Sequence, residues 1–260
     1  MLKKRISSAI IGLPLVFAAL IAGGWYLRLF LAAVSLMGLN EFYTVFKNID
    51  IKPINYIGYI TILFFYILGY SYNTMDVIVL IAIIIFTVPI LQRKYNLKDT
   101  SITMAGVIYI IFFSYIGKIR DINNGYLLVW LIFIISWLTD TFAYFVGKHM
   151  GRSKLCPTIS PNKTFEGSIG GIIGSLIGCL VFTYLFKEKL QINIFYIIAL
   201  SITGSLVAQI GDLFASLVKR NCNTKDFSKI IPGHGGILDR FDSILFVSPY
   251  IYIFFTYVYK

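Results

Sequence analysis

Nine continuous apolar stretches, at residues 6–22, 26–46, 54–71, 76–91, 101–117, 126–147, 167–186, 193–217 and 239–258, follow one another with short polar breaks between them. Most are as long as a helix needs to be to cross a hydrocarbon core about 30 Å thick at ~1.5 Å per residue. Backbone N–H and C=O groups in lipid must be satisfied internally, which leaves helices or a closed barrel. The stretches are continuous rather than alternating, which selects helices. The pattern predicts an all-α polytopic bundle of about nine transmembrane helices. The first stretch has the basic start (Met1 to Arg5) and apolar body of a signal peptide. With eight more spans behind it, it reads as a retained first helix.

The polar breaks set orientation. With the N-terminus inside, the outer side keeps only Arg28, Lys118, Arg120, Lys187, Lys189 and Lys260 of the chain's 23 lysines and arginines. That bias predicts a cytoplasmic N-terminus. The two longest breaks, 148–166 and 218–238, then lie on the cytoplasmic face. Residues 1–125 read as scaffold helices, and 126–260 as catalytic helices carrying those two loops, within one continuous membrane domain. No internal repeat is visible, which weighs against a transporter built from duplicated halves.

Composition agrees: 58% hydrophobic and 13% charged residues, with a mean hydropathy of +0.80. The net charge of +11 could suggest nucleic acid. The cations, however, sit in short loops between spans, where they suit topology and anionic headgroups. The expected surroundings are membrane lipids and not nucleic acid. Cys156, Cys179 and Cys222 form no CxxC pair and read as unpaired thiols. With only His149 and His234 as histidines, zinc is not expected.

Acids inside the spans carry the chemistry. Glu41, Asp140 and Asp212 each lie five to seven residues from the inner end of a span, on the order of 8–10 Å below the surface. Asp239 and Asp242 open the last span at the same end. Asp212, Ser216 and Lys219 share one helix face, as do Asp239 and Asp242. Carboxylates gathered in one layer suit Mg²⁺, a hard cation that keeps waters for substrate phosphates. Gly235 and Gly236 would let backbone N–H groups approach a phosphate beside a helix N-terminus. His234 reads as a phosphate donor, a general acid or a turn residue. The plainer alternative is that these acids and bases neutralise one another as structural pairs, Glu41 included. In the loop before span seven, Lys163 and Thr164 suit a phosphate. Thr164 to Gly167 equally suits helix capping with Glu166 in the first turn. Gly170, Gly174 and Gly178 recur every four residues, as helix packing requires.

Ser216, Lys219-Arg220, Lys225-Asp226, Pro232, His234-Gly235-Gly236, Asp239-Arg240 and Asp242 resemble, gaps included, the signature of phosphatidate cytidylyltransferases (CDP-diacylglycerol synthases). Asp140-Thr141 and Ser160-Pro161 through Lys163-Thr164 to Glu166-Gly167 are similar to the family as well. The resemblance implies the reaction of CTP with phosphatidate to give CDP-diacylglycerol and pyrophosphate. It implies a paired-metal site requiring Mg²⁺, with a monovalent cation such as K⁺ as the candidate second ion. By motif position the ligands are Asp212 and Asp239, with Asp242 and Asp140 as further ligands or groups just behind them. Catalysis is assigned to Asp212, Asp239, Lys219 and Asp242. Substrate binding is assigned to Ser160, Lys163, Thr164, Ser216, Arg220, Lys225, His234, Gly235, Gly236 and Arg240. A second copy of the chain is a candidate partner, and a bacterial inner membrane the expected location. The rival activity is a CTP-dependent kinase of a polyprenol-type lipid. An ion transporter would carry acids through the outer half as well, and none of the mid-span acids lies there.

Overall fold

A computed structural model describes residues 2–259 except 232 and 234, with side chains described from residue 12 onward. The helices are α1 (Leu2–Ala22), α2 (Gly24–Phe46), α3 (Asn55–Ile67), α4 (Thr74–Leu91), α5 (Leu97–Ile111), α6 (Ser114–Arg120), α7 (Gly125–Met150), α8 (Phe165–Leu185), α9 (Lys187–Leu190), α10 (Ile194–Asn221) and α11 (Leu238–Ile253). A π-helical turn, Phe254–Val258, continues α11. Among the described residues, seven helices are long and apolar enough to cross a membrane. The protein is thus a polytopic helical membrane protein. The apolar stretch at 54–71 forms a helix of only 13 residues, α3, because the chain turns at Gly69, packed against Val77. At 6–22 the chain forms α1, Leu2–Ala22, whose side chains are described from residue 12.

The fold also contains a feature that an all-α reading lacks. Between α7 and α8, β1 (Lys154–Cys156) pairs antiparallel with β2 (Ser160–Thr164). Three to five residues are too few to display a period-2 pattern, so the hairpin is invisible to hydropathy. The polar loop after span eight is shorter than expected, since α10 runs on to Asn221 and takes up Lys219 and Arg220.

The chain divides into two compact units. The first comprises Met1–Gly117 and Lys219–Arg240, the second Lys118–Val218 and Phe241–Lys260. In the first, α2 packs against α1, α3 and α5. Tyr43 fits between Gly58 and Gly106, where any Cβ would collide with its ring, and its hydroxyl donates to the Thr103 carbonyl at 2.8 Å. Asn96 and Asp99 form a capping box at the start of α5, and the Asp99 carboxylate also receives the Lys52 N–H at 2.7 Å. These polar groups thus end on protein partners.

In the second unit, α7 and α8 make the closest pair. Gly170, Gly171, Gly174 and Gly178 of α8 face Val146, Thr139, Phe142 and Leu138 of α7, with no room for a Cβ. The packing role expected of the four-residue glycine spacing is therefore observed. Hydroxyl and amide bonds supplement it: Thr139 donates to Ser205 at 2.9 Å, Ser175 to the Ser201 carbonyl at 3.1 Å, and Gln209 to the Ser168 carbonyl at 3.3 Å.

Candidate active site

The carboxylates expected in one layer divide between the units. Asp140, Asp212 and Asp242 belong to the second, and Glu41 and Asp239 to the first.

The second unit holds a cavity of about 630 Å³, within the ~300–1,000 Å³ typical of ligand pockets. Its lining includes Asp140, Lys148, Lys154, Lys163, Gln209 and Asp212. Asp140, Ala143, Tyr144, Gly147 and Lys148 reach it from one face of α7, at the i, i+3, i+4, i+7, i+8 spacing of helical neighbours. Lys163, on β2, places its Nζ 2.6 Å from Asp212 Oδ2. Asp140 Oδ2 accepts from the Ser243 hydroxyl at 3.3 Å. Three lysines against two aspartates make the cavity basic, which favours polyanions.

The hairpin that presents Lys163 is anchored at both ends. Thr164 Oγ1 accepts from the Gly167 N–H at 3.1 Å and caps α8. The capping reading of this segment is therefore realised, while Thr164 still lines the cavity. Glu166 reaches back to receive the N–H groups of Arg152 at 3.0 Å and Ser153 at 3.2 Å. Ser160 sits at the start of β2 opposite Cys156, and Ser216 lies on α10. Neither contributes to the cavity wall. Asp242, on α11, receives the Ser243 N–H at 2.8 Å.

The first unit contains the remaining motif residues. Lys219 is 9% exposed and its Nζ donates to Asp239 Oδ1 at 2.8 Å. Asp239 Oδ2 receives the N–H groups of Phe227 at 2.8 Å and Gly236 at 2.9 Å. In this arrangement the Gly236 N–H is committed to a carboxylate. Gly235 adopts φ +81 and its carbonyl accepts from the Ile231 N–H at 2.9 Å, closing a turn that a side chain would strain. Arg220 donates to the Thr224 carbonyl at 3.2 Å. Lys225 and Arg240 are exposed. His234 lies outside the described residues.

Sequence reasoning missed Lys148, Lys154 and Gln209. Lys148 was within reach of it, two helical turns from Asp140 on the same face. Lys154 depends on the hairpin, which left no signal. Among the described residues, no three His, Cys, Asp or Glu side chains gather into a group able to hold a metal ion. The two aspartates of the cavity suit an octahedral cation that takes one or two carboxylates and otherwise keeps waters and substrate phosphates, as Mg²⁺ does.

Helices of membrane-spanning length with a basic, carboxylate-bearing cavity define an integral membrane protein built to receive a polar ligand. The profile of the Cytidylyltransferase family matches residues 3–258, and the chain belongs to that family. It is 37% identical over 259 residues to the phosphatidate cytidylyltransferase of Staphylococcus haemolyticus, covering 97% of this chain and 98% of that protein. It is 36% identical to those of Staphylococcus aureus and Staphylococcus epidermidis, with the same coverage.

Proposed function

We propose that this protein transfers the cytidylyl group of CTP to phosphatidate at the cytoplasmic face of a bacterial inner membrane, forming CDP-diacylglycerol and pyrophosphate. The observation that carries the reading is the basic cavity of the second unit, with Lys163 facing Asp212 and Asp140 on the same wall. Family membership and the activity for which the relatives are named point the same way.

In the reaction a phosphate oxygen of phosphatidate attacks the α-phosphorus of CTP. The bond from that phosphorus to the bridging oxygen breaks, and pyrophosphate leaves with its electrons. The nucleophile is a phosphate monoester, largely ionised at neutral pH, so no strong base is needed. The obstacle is bringing two polyanions together and stabilising charge on the leaving group. Lys148, Lys154 and Lys163 serve the phosphates within the cavity. Asp140 and Asp212 would hold Mg²⁺, whose chemistry there is to neutralise phosphate charge. In the first unit, Lys219, Arg220, Lys225 and Arg240 are the cations offered to phosphate, and Asp239 keeps Lys219 in place. Nine helical spans, with the lysine and arginine bias of the loops between them, would put the N-terminus in the cytoplasm.

Purified protein in nanodiscs containing phosphatidate, given CTP labelled in the cytidine or at the γ-phosphate, tests the proposal. The expected result is cytidine label on the lipid and one pyrophosphate released per lipid converted. Transfer of γ-label to a polyprenol, or no lipid label, would overturn it.

A further inference from the structure

We infer that Glu41, a carboxylate of the N-terminal helix α2, is the positioning residue for the backbone around Ser228, Ile237 and Leu238 that leads into α11. The inference rests on the proposed nucleotidyl transfer for its kinetic readout only. Glu41 is 1% exposed. Its Oε1 receives the Ser228 hydroxyl at 2.6 Å and the Ile237 N–H at 2.9 Å, and its Oε2 receives the Leu238 N–H at 2.9 Å. Its described partners are all neutral donors from one short segment. Two of them are N–H groups at the start of α11, which the helix cannot satisfy by itself.

The neighbouring geometry explains why one carboxylate holds so much. Gly236, Ile237 and Leu238 present successive N–H groups; the first goes to Asp239 and the next two to Glu41. Two acids therefore grip the entry to α11 from opposite ends of the sequence. A Cβ on Gly236 would stand 2.5 Å from Glu41 Oε2, and one on Gly38 3.2 Å from Leu238 Cδ2. The missing side chains let α2 and the segment approach closely. Just after α10, ahead of the segment, Asn48 Nδ2 donates to the Cys222 carbonyl at 3.3 Å. Displacing the Glu41 carboxylate releases Ser228, Ile237 and Leu238 together, and with them the backbone that sets Gly236, Asp239 and Lys219. Glu41 itself acts at a distance from the phosphates, through that backbone.

Glu41→Gln keeps the shape but replaces one acceptor oxygen with an NH₂ group, so at least one buried N–H loses its partner. The test compares full-length wild type, Glu41→Gln and Ser228→Ala in phosphatidate nanodiscs, by amide hydrogen exchange and by KM and kcat for both substrates. Glu41→Gln is expected to speed exchange in 227–238 while leaving the α7–α8 pair unchanged, and to raise KM for CTP or phosphatidate about 10- to 100-fold. Ser228→Ala should raise the same KM by a smaller factor, and it decides the matter if Glu41→Gln does not fold. Unchanged exchange and unchanged KM would overturn the inference. So would faster exchange throughout the chain with only kcat reduced, the mark of a general loss of stability. If wild type makes no CDP-lipid, the proposed activity fails, and the exchange comparison still decides the role of Glu41.

Discussion

The Lys163–Asp212 pair separates what holds the cavity together from what it does. The two charges lie 2.6 Å apart, with side chains 24% and 28% exposed, and Lys163 Nζ is buried without a well-aligned hydrogen-bond acceptor among the described residues. Opposite charges at ~4 Å attract by about 4 kcal/mol at an effective dielectric constant of about 20, and desolvation offsets much of that. A net coupling of about 2 kcal/mol is the reasonable magnitude. Asp212→Asn strands the ammonium and Lys163→Met strands the carboxylate, so each should cost about 2–3 kcal/mol. The double substitution strands neither. Thermal unfolding in detergent, followed by the fluorescence of Trp25, Trp130 and Trp137, should show the double variant melting about 4–8 °C above the sum of the single effects. Cytidylyl transfer should stay abolished in all three, because the proposed reaction uses both groups. Additive melting shifts would refute the coupling, and recovered transfer in the double variant would refute the catalytic assignment.

Glu166→Ala removes the acceptor for the Arg152 and Ser153 N–H groups, so protease cleavage within 151–163 should accelerate and transfer should fall about tenfold; an unchanged digestion pattern would show that the hairpin stands without it. At the α7–α8 seam, a Cβ on Gly170 would lie 2.6 Å from Val146 Cβ, so Gly170→Ala should cost about 1–3 kcal/mol of stability, read as a lowered melting temperature. Burial raises the pKa of the Cys222 thiol, which holds it protonated through neutral pH. Peptide mass mapping after brief exposure to a thiol reagent should therefore find Cys156, which is partly exposed, labelled ahead of Cys222.

Hydropathy foretold the helices because lipid forces each apolar segment to satisfy its own backbone. Every one of the nine stretches falls on a helix, and the glycines of α8 were readable as packing from their spacing alone. What hydropathy could not convey was partnership. Lys163 and Asp212 were both singled out, yet nothing in the spacing of residues 163 and 212 says that they pair. Thr164 was open between cap and ligand, and only the position of the Gly167 N–H shows that it caps. Glu41 was read as one of a layer of carboxylates or as half of a structural pair, and its three donors at residues 228, 237 and 238 lie beyond the reach of any local pattern. Lys154 faces the cavity through a hairpin too short to betray itself.

The distance along the chain between Glu41 and those donors has a consequence for biosynthesis. Glu41 leaves the ribosome 187 residues before Ser228 and 197 before Leu238. At about 5–20 residues per second, the nascent carboxylate waits roughly 10–40 s for the groups that will hydrogen-bond it. A charge at that depth is expensive in lipid. During that interval α2 must be held in a wet or sheltered setting, by the insertion machinery or close to the bilayer surface. The first unit therefore closes only after residues 219–240 have been made, and shortening the chain ahead of residue 228 should leave its N-terminal helices inserted around an acid with nothing to hold.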